Sequence, residues 1–165
     1  ASASATAPGT LVTAGSTRSV RRIDAPRHEV YRALLDPSAV AAWRVPNGMS
    51  CHVHEFDARE SGSFRVSLTY DAPTAVGKTS AHTDTYRGHF ARLVRDELVI
   101  EIVEFETANP DLQGQMTITT TLRDYDGHTL VVVVHEGLPV GVSNEDNETG
   151  TMMALDNLAA LIEER

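Results

Sequence analysis

A chain of 165 residues that is 41% hydrophobic and 22% charged is long enough to bury one substantial core and too short for two ordinary domains. Its 23 acidic residues against 14 basic ones give a formal charge of −9, and no apolar run approaches the roughly 20 residues that cross a bilayer, so nucleic acid and membrane are not expected as partners. The single cysteine, Cys51, excludes an internal disulfide and a thiolate metal cage and fits a reducing, cytoplasmic setting.

Residues 1–16 are Ala, Ser, Thr, Gly and Pro with Leu11 and Val12 as the only sizeable apolar groups, too little burial to offset the entropy of ordering. They lack the charged and apolar regions of a secretory signal and read as a disordered leader carrying a processing remnant. A single domain is expected over residues 17–165. It opens with TRSVRRI, a short strand, and Asp24-Ala25-Pro26 places an acceptor side chain before a proline suited to a first helical turn. In the next segment Val30, Ala33 and Leu34 recur at i, i+3, i+4, predicting a short helix with one buried face. Asp36-Pro37 repeats the signal and opens a second helix over SAVAAW, ended by residues 44–48.

The period then changes to two. CHVHEF, SFRVSLTYD, TYRGHFARLV, ELVIEIVEFE, QMTITTTLRDYD and TLVVVVHEGL are six runs rich in β-branched and aromatic residues, separated by turn residues such as Asn109-Pro110 and Asp126-Gly127. Their short connections favour an antiparallel meander. LPVGVSNEDNETG reads as a loop. After it, GTMMALDNLAALIEER carries Met152, Leu155, Ala159 and Ile162 at helical spacing, which predicts a long amphipathic closing helix. The expected class is α+β: a curved antiparallel sheet of about seven strands wrapped around the C-terminal helix, with two short helices plugging one end. Such a grip leaves space between helix and sheet, the ordinary place for a small-molecule site.

The stretch from Ile23 to Trp43, IDAPRHEVYRALLDPSAVAAW, resembles the opening of START-like proteins, the SRPBCC or helix-grip superfamily. Phe56, Asp57, Arg59, Gly62, Phe64 and Arg65 are similar to an element of the subfamily named after the activator of the ninety-kilodalton heat-shock protein's ATPase. Later phrases, including Tyr86-Arg87-Gly88, Leu138-Pro139 and Leu155-Asp156-Asn157-Leu158-Ala159, continue the pattern over about residues 17–163. The resemblance implies the helix-grip fold. Two departures stand out: the first glycine of the usual Gly-Gly is Ser61, and the tryptophan that commonly follows the helix-opening glycine is Thr151. A smaller side chain there widens or reshapes the space, so a relative's ligand does not transfer.

Several residues are candidates for that space. Trp43 either fills the junction of helices and sheet or lines the cavity, and the two readings are compatible. His52 and His54 point the same way as Phe56 if the strand is regular, with Cys51 opposite. They read as a metal pair lacking a third ligand, for which His82, His89 and His135 are the remaining candidates, or as an exposed His52 with His54 at the cavity edge; no metal and no cofactor are expected. Asp57 and Arg59 read as a pair fixing a turn. Phe64, Val66, Leu68 and Tyr70 alternate with polar residues in a half-buried strand. Tyr70 and Tyr86 are the expected hydrogen-bond donors toward a ligand. If Leu98, Ile100 and Ile102 face inward, Glu104 does too and Glu101 faces solvent; rotation of the strand end out to water is the alternative for Glu104. Met116, Ile118, Leu122, Met152 and Leu155 supply apolar wall. No nucleophile elbow, phosphate loop or CxxC occurs.

The function expected is binding of a small, mainly apolar or aromatic ligand by a monomer or homodimer. One alternative is a cyclase, dehydratase or hydrolase using His54, Tyr70, Tyr86, Glu104 and His135 for proton transfer. A chaperone-interaction module is the other, implied only by the subfamily's name.

Overall fold

The computed structural model describes residues 15–46, 48–71 and 83–164. The leader expected over residues 1–16 therefore lies outside the described residues except for Gly15 and Ser16, and Ser16 opens the first strand. In chain order come β1 (Ser16–Ile23), α1 (Arg27–Leu34), α2 (Pro37–Trp43), β2 (Met49–Phe56), β3 (Ser63–Tyr70), β4 (Thr83–Val94), β5 (Leu98–Phe105), β6 (Met116–Tyr125), β7 (His128–Glu136) and α3 (Asn144–Glu163). A short 3-10 turn at Pro110–Leu112 joins β5 to β6.

All seven strands form one antiparallel sheet in the order β1-β7-β6-β5-β4-β3-β2. β2 to β7 are the expected meander, and β1 closes the far edge by pairing along β7, with Val20 opposite Val132. The sheet curls around α3, the helix-grip arrangement. Two glycines allow close approaches. A Cβ on Gly62 would lie 2.0 Å from the Asp57 carbonyl, and one on Gly88 would lie 2.0 Å from the Ile102 carbonyl and 2.9 Å from the Phe64 ring. Beside Gly62, Ser61 holds a left-handed φ of 68°, which an L side chain adopts at a cost.

The two short helices form where proline and aspartate predicted them, with one difference. Asp36 caps α2 by accepting from the Ser38 amide, and Pro37 occupies the first turn. Asp24 does not cap α1: Pro26 itself occupies the N-cap position, without a side-chain cap bond, and the Asp24 amide donates instead to Glu163 Oε2 of α3 at 2.7 Å. The Trp43 indole N–H donates to the Ala33 carbonyl at 2.9 Å and locks α2 onto α1.

α3 starts earlier than its apolar spacing suggested. Ser143 caps it by accepting from the Asp146 amide, and Glu145 and Asp146 sit in the first turn, where acidic groups suit the helix dipole. Residues 144–150, expected as loop, are thus its first turns. Its buried residues are Leu155, Leu158, Ala159 and Ile162, all in the second half. This half seats against β1 and α2, and Asn157 Nδ2 donates to the Val45 carbonyl at 2.7 Å. Burying each leucine contributes about 1.5–3 kcal/mol, so the C-terminal half anchors the helix.

Candidate functional site

Beneath the N-terminal half of α3 the sheet and helix do not meet, and a cavity of about 250 Å³ remains. That equals the liquid volume of about eight waters at roughly 30 Å³ each. Leu68, Val103, Phe105, Ile118 and Val133 form its sheet wall, Leu34 and Trp43 its helical end, and Thr151, Ala154 and Leu155 its roof. The polar groups in the lining are few: Arg44, Asp84, Tyr86, Thr120, His135, Asp146 and Asn147 among them.

Of the residues expected in the cavity, Trp43, Leu68, Tyr86, Met116, Ile118, His135 and Leu155 line it. Phe56 and Phe64 do not. They belong to an aromatic cluster with Phe90, ring centroids 5.1–6.4 Å apart, that fills the neighbouring part of the grip as core. Tyr70 shares the inward parity of β3 but lies at its end, away from the lining, and Met152 packs on the core without reaching the cavity.

Two expectations about strand faces are overturned. A bulge between Val53 and Glu55 shifts the register of β2 on β3, so Cys51, Val53 and Phe56 face the core while His52 and His54 face out. His54 is exposed and its Nε2 is 2.8 Å from Ser67 Oγ on the outer face, so it is not a cavity residue. Among the described residues no three histidine, cysteine or acidic side chains group as metal ligands, and His82 lies outside those residues. In β5 the parity is the reverse of the one that would turn Glu104 inward: Val99, Glu101 and Val103 are buried, and Glu104 sits on the outer face, 3.7 Å from Arg87, its alternative placement, reached by strand parity and not by rotation of the strand end. Asp57 and Arg59 pair at 2.9 Å in their turn, as the spacing predicted.

The inward Glu101 finds a partner that the sequence reading missed. Arg44, at the end of α2, donates through both terminal nitrogens to the two Glu101 oxygens at 3.1 and 3.3 Å, and to the Tyr86 hydroxyl at 3.3 Å. Its guanidinium lies 4.9 Å from the centre of the Trp43 ring, within cation–π range. Burial alone would lower the Arg44 pKa, but Glu101 and Tyr86 more than offset it, so the group stays charged. Burial pushes the Tyr86 hydroxyl up against the pull of Arg44, and pushes the Cys51 thiol up too. Neither is an activated nucleophile.

At the roof, Asn147 of α3 holds His135 of β7: Nδ2 of the amide lies 3.0 Å from the ring Nδ1. The Asn147 oxygen accepts from Thr17 at 2.6 Å, and Thr151 donates to the Asn147 carbonyl at 2.8 Å. Burial, with Arg44 adding to it, pushes the His135 pKa down to about 4. Asn147 and Thr17 were absent from the sequence-based candidates, and no local spacing connects them.

A curved seven-stranded antiparallel sheet gripping a C-terminal helix over a cavity, with two short helices after the first strand, defines a START-like helix-grip protein. More narrowly, the family described as "Activator of Hsp90 ATPase homolog 1-like protein" matches residues 24–163, and the chain belongs to it. A crystallised protein from Chromobacterium violaceum is 32% identical, with a TM-score of 0.82 over 90% of this chain and 97% of its own. A Staphylococcus epidermidis protein solved in solution is 18% identical, with a TM-score of 0.73 over 93% of both chains. A protein from the dynemicin biosynthetic locus is 20% identical with a TM-score of 0.63, covering 90% of this chain and 47% of its own. These last two share the fold. No curated protein matches significantly. Among the described residues, no helix is long and apolar enough to cross a membrane.

Proposed function

We propose that the protein binds a small, mainly apolar molecule in the cavity between the sheet and the N-terminal half of α3. The fold is typical of ligand-binding domains, and the observation that carries the reading is the cavity itself: an apolar wall with few polar groups, those of known partnership already held in place. That combination is the usual composition of a pocket that orients a guest by a few contacts. At about 250 Å³ the space is below the 300–1,000 Å³ common for drug-sized ligands, which favours a compact guest.

Binding without turnover is the simpler reading, because the cavity histidine has no lone pair to offer as a base: its Nδ1 is taken by Asn147. Trp43 is the only tryptophan and lines the cavity, so its emission reports occupancy directly. Titration of the purified protein with lipids and aromatic metabolites, followed by Trp43 emission and melting temperature, is expected to give a compound that shifts both. A library that moves neither signal refutes the proposal, and release of a chemically altered compound replaces binding with catalysis.

A further inference from the structure

The hydrogen-bonding state of His135 is set by groups outside the ring. Asn147 Oδ1 accepts from Thr17 Oγ1 at 2.6 Å, and the other end of the amide, its NH₂, faces the imidazole at 3.0 Å. An amide nitrogen has no lone pair to give, hence Nδ1 of His135 is the bare nitrogen and the proton of the neutral ring resides on Nε2. Burial and the nearby Arg44 keep the ring neutral at physiological pH. His135 therefore gives a hydrogen bond and does not receive one. Tyr86, in the same lining, accepts from Arg44 through its oxygen and retains its hydrogen to give.

The charge balance adds a second constraint. The Arg44 guanidinium is the only arginine or lysine in the lining among the described residues, and both oxygens of Glu101 already engage it. Asp84 and Asp146 line the same space. An anion entering here would meet carboxylates and a cation already neutralised. An ammonium would find Asp84 and Asp146, but at His135 it would meet an N–H where it needs a lone pair.

We propose that the cavity selects an uncharged guest bearing a carbonyl-type oxygen, which accepts from the Nε2–H of His135, with Asn147 and Thr17 as positioning residues that fix the ring's tautomer. This rests on the binding reading above and names the class of molecule it takes. One net hydrogen bond of about 1 kcal/mol corresponds to roughly a fivefold gain in affinity.

The test uses four probes on one ring system: naphthalene, acetonaphthone, naphthylethanol and naphthoate, each titrated calorimetrically into the intact protein. Acetonaphthone is expected to bind about fivefold to tenfold tighter than naphthalene, with naphthoate the weakest. Nitrogen NMR of the histidine side chains is expected to show His135 with Nδ1 unprotonated and Nε2 protonated. Asn147→Asp keeps an acceptor for Thr17 but asks Nδ1 for a proton. Measured at alkaline pH, where the ring is neutral, this variant exposes a bare Nε2, and the ratio of ketone to alcohol affinity should fall about tenfold. Should that variant not fold, His135→Phe serves, with the ratio of ketone to naphthalene affinity falling to about one. A ketone bound no better than naphthalene, a protonated Nδ1, or naphthoate as the tightest probe overturns this inference while leaving the binding reading in place. Failure of all four probes overturns both.

Discussion

The Arg44–Glu101 pair offers a direct test of the electrostatics at the cavity's edge, because its members can be removed singly or together. Glu101 is 3% exposed and Arg44 20%, with two contacts of 3.1 and 3.3 Å. At an effective dielectric near 20, unit charges about 4 Å apart attract by roughly 4 kcal/mol. Removing each ion from water costs several kcal/mol, so the pair as a whole contributes little while the loss of either partner costs much. Arg44→Met strands a carboxylate with almost no access to solvent, and Glu101→Leu strands a guanidinium that keeps its proton at any working pH. Each should cost about 3–5 kcal/mol, with Glu101→Leu at the lower end because Arg44 is a fifth exposed and can turn toward water. The double variant should fall within about 2 kcal/mol of the parent, giving a coupling of roughly 4 kcal/mol or more. Urea unfolding of the four proteins at neutral pH measures this. Single costs below about 1 kcal/mol, or costs that simply add, would mean that the pair behaves as a screened surface bridge, and the argument from burial would fail.

Three further outcomes follow from the geometry. His135 has its pKa pushed from 6.5 to about 4, so the unfolded chain binds the extra proton first; stability is full above pH 6.5 and is lost as pH falls toward 4. The loss is on the order of 3 kcal/mol, and denaturant unfolding across that window should show a slope that His135→Phe flattens. Ser61→Gly relieves a positive φ of 68° and should stabilise the protein by about 0.5–1 kcal/mol, a rise of roughly 1–4 °C in Tm by calorimetry; an unchanged or lower Tm would show that the turn carries no strain. Thr151→Trp puts an indole into the roof of the cavity and should weaken any bound probe more than tenfold without lowering Tm, whereas unaltered affinity would place the guest elsewhere.

Most of the fold is legible from periodicity and turn chemistry, and the misses have definite causes. β3 alternates cleanly, so its inward residues are readable; β5 reads LVIEIVEF, apolar on both parities, and only the pairing with β4 decides that Glu101 turns in and Glu104 out. The β2 bulge inserts a residue that no local pattern announces, which moves Phe56 to the core and leaves His54 outside. The start of α3 was readable: Ser143 with Asp146 three residues on is a capping pair, obscured by the polar, glycine-bearing run around it. Arg44 directly follows the last apolar residue of α2, where no local spacing pairs it. Its partner lies 57 positions away, and Thr17 and Asn147 are 130 apart, separations that only the folded sheet brings together.

The hollow itself can be traced to α3. Leu155, Leu158, Ala159 and Ile162 repeat at i, i+3, i+4, i+7, a stripe that seals the C-terminal end of the grip. Toward the N-terminus Met152 still packs on the core, but beyond it the stripe leads to Thr151, Glu148 and Asn144, none of which has a large apolar side chain to push into the sheet. The helix persists there because polar contacts replace packing: the Ser143 cap, and Asn147 bridging Thr17 of β1 and His135 of β7. Side-chain hydrogen bonds fix the helix at a set distance without filling the gap, whereas apolar side chains would have closed it. The residues that suspend α3 over the cavity are thus the same ones that determine which nitrogen of His135 carries the proton, and the stability of the roof and the selectivity of the site rest on one set of contacts.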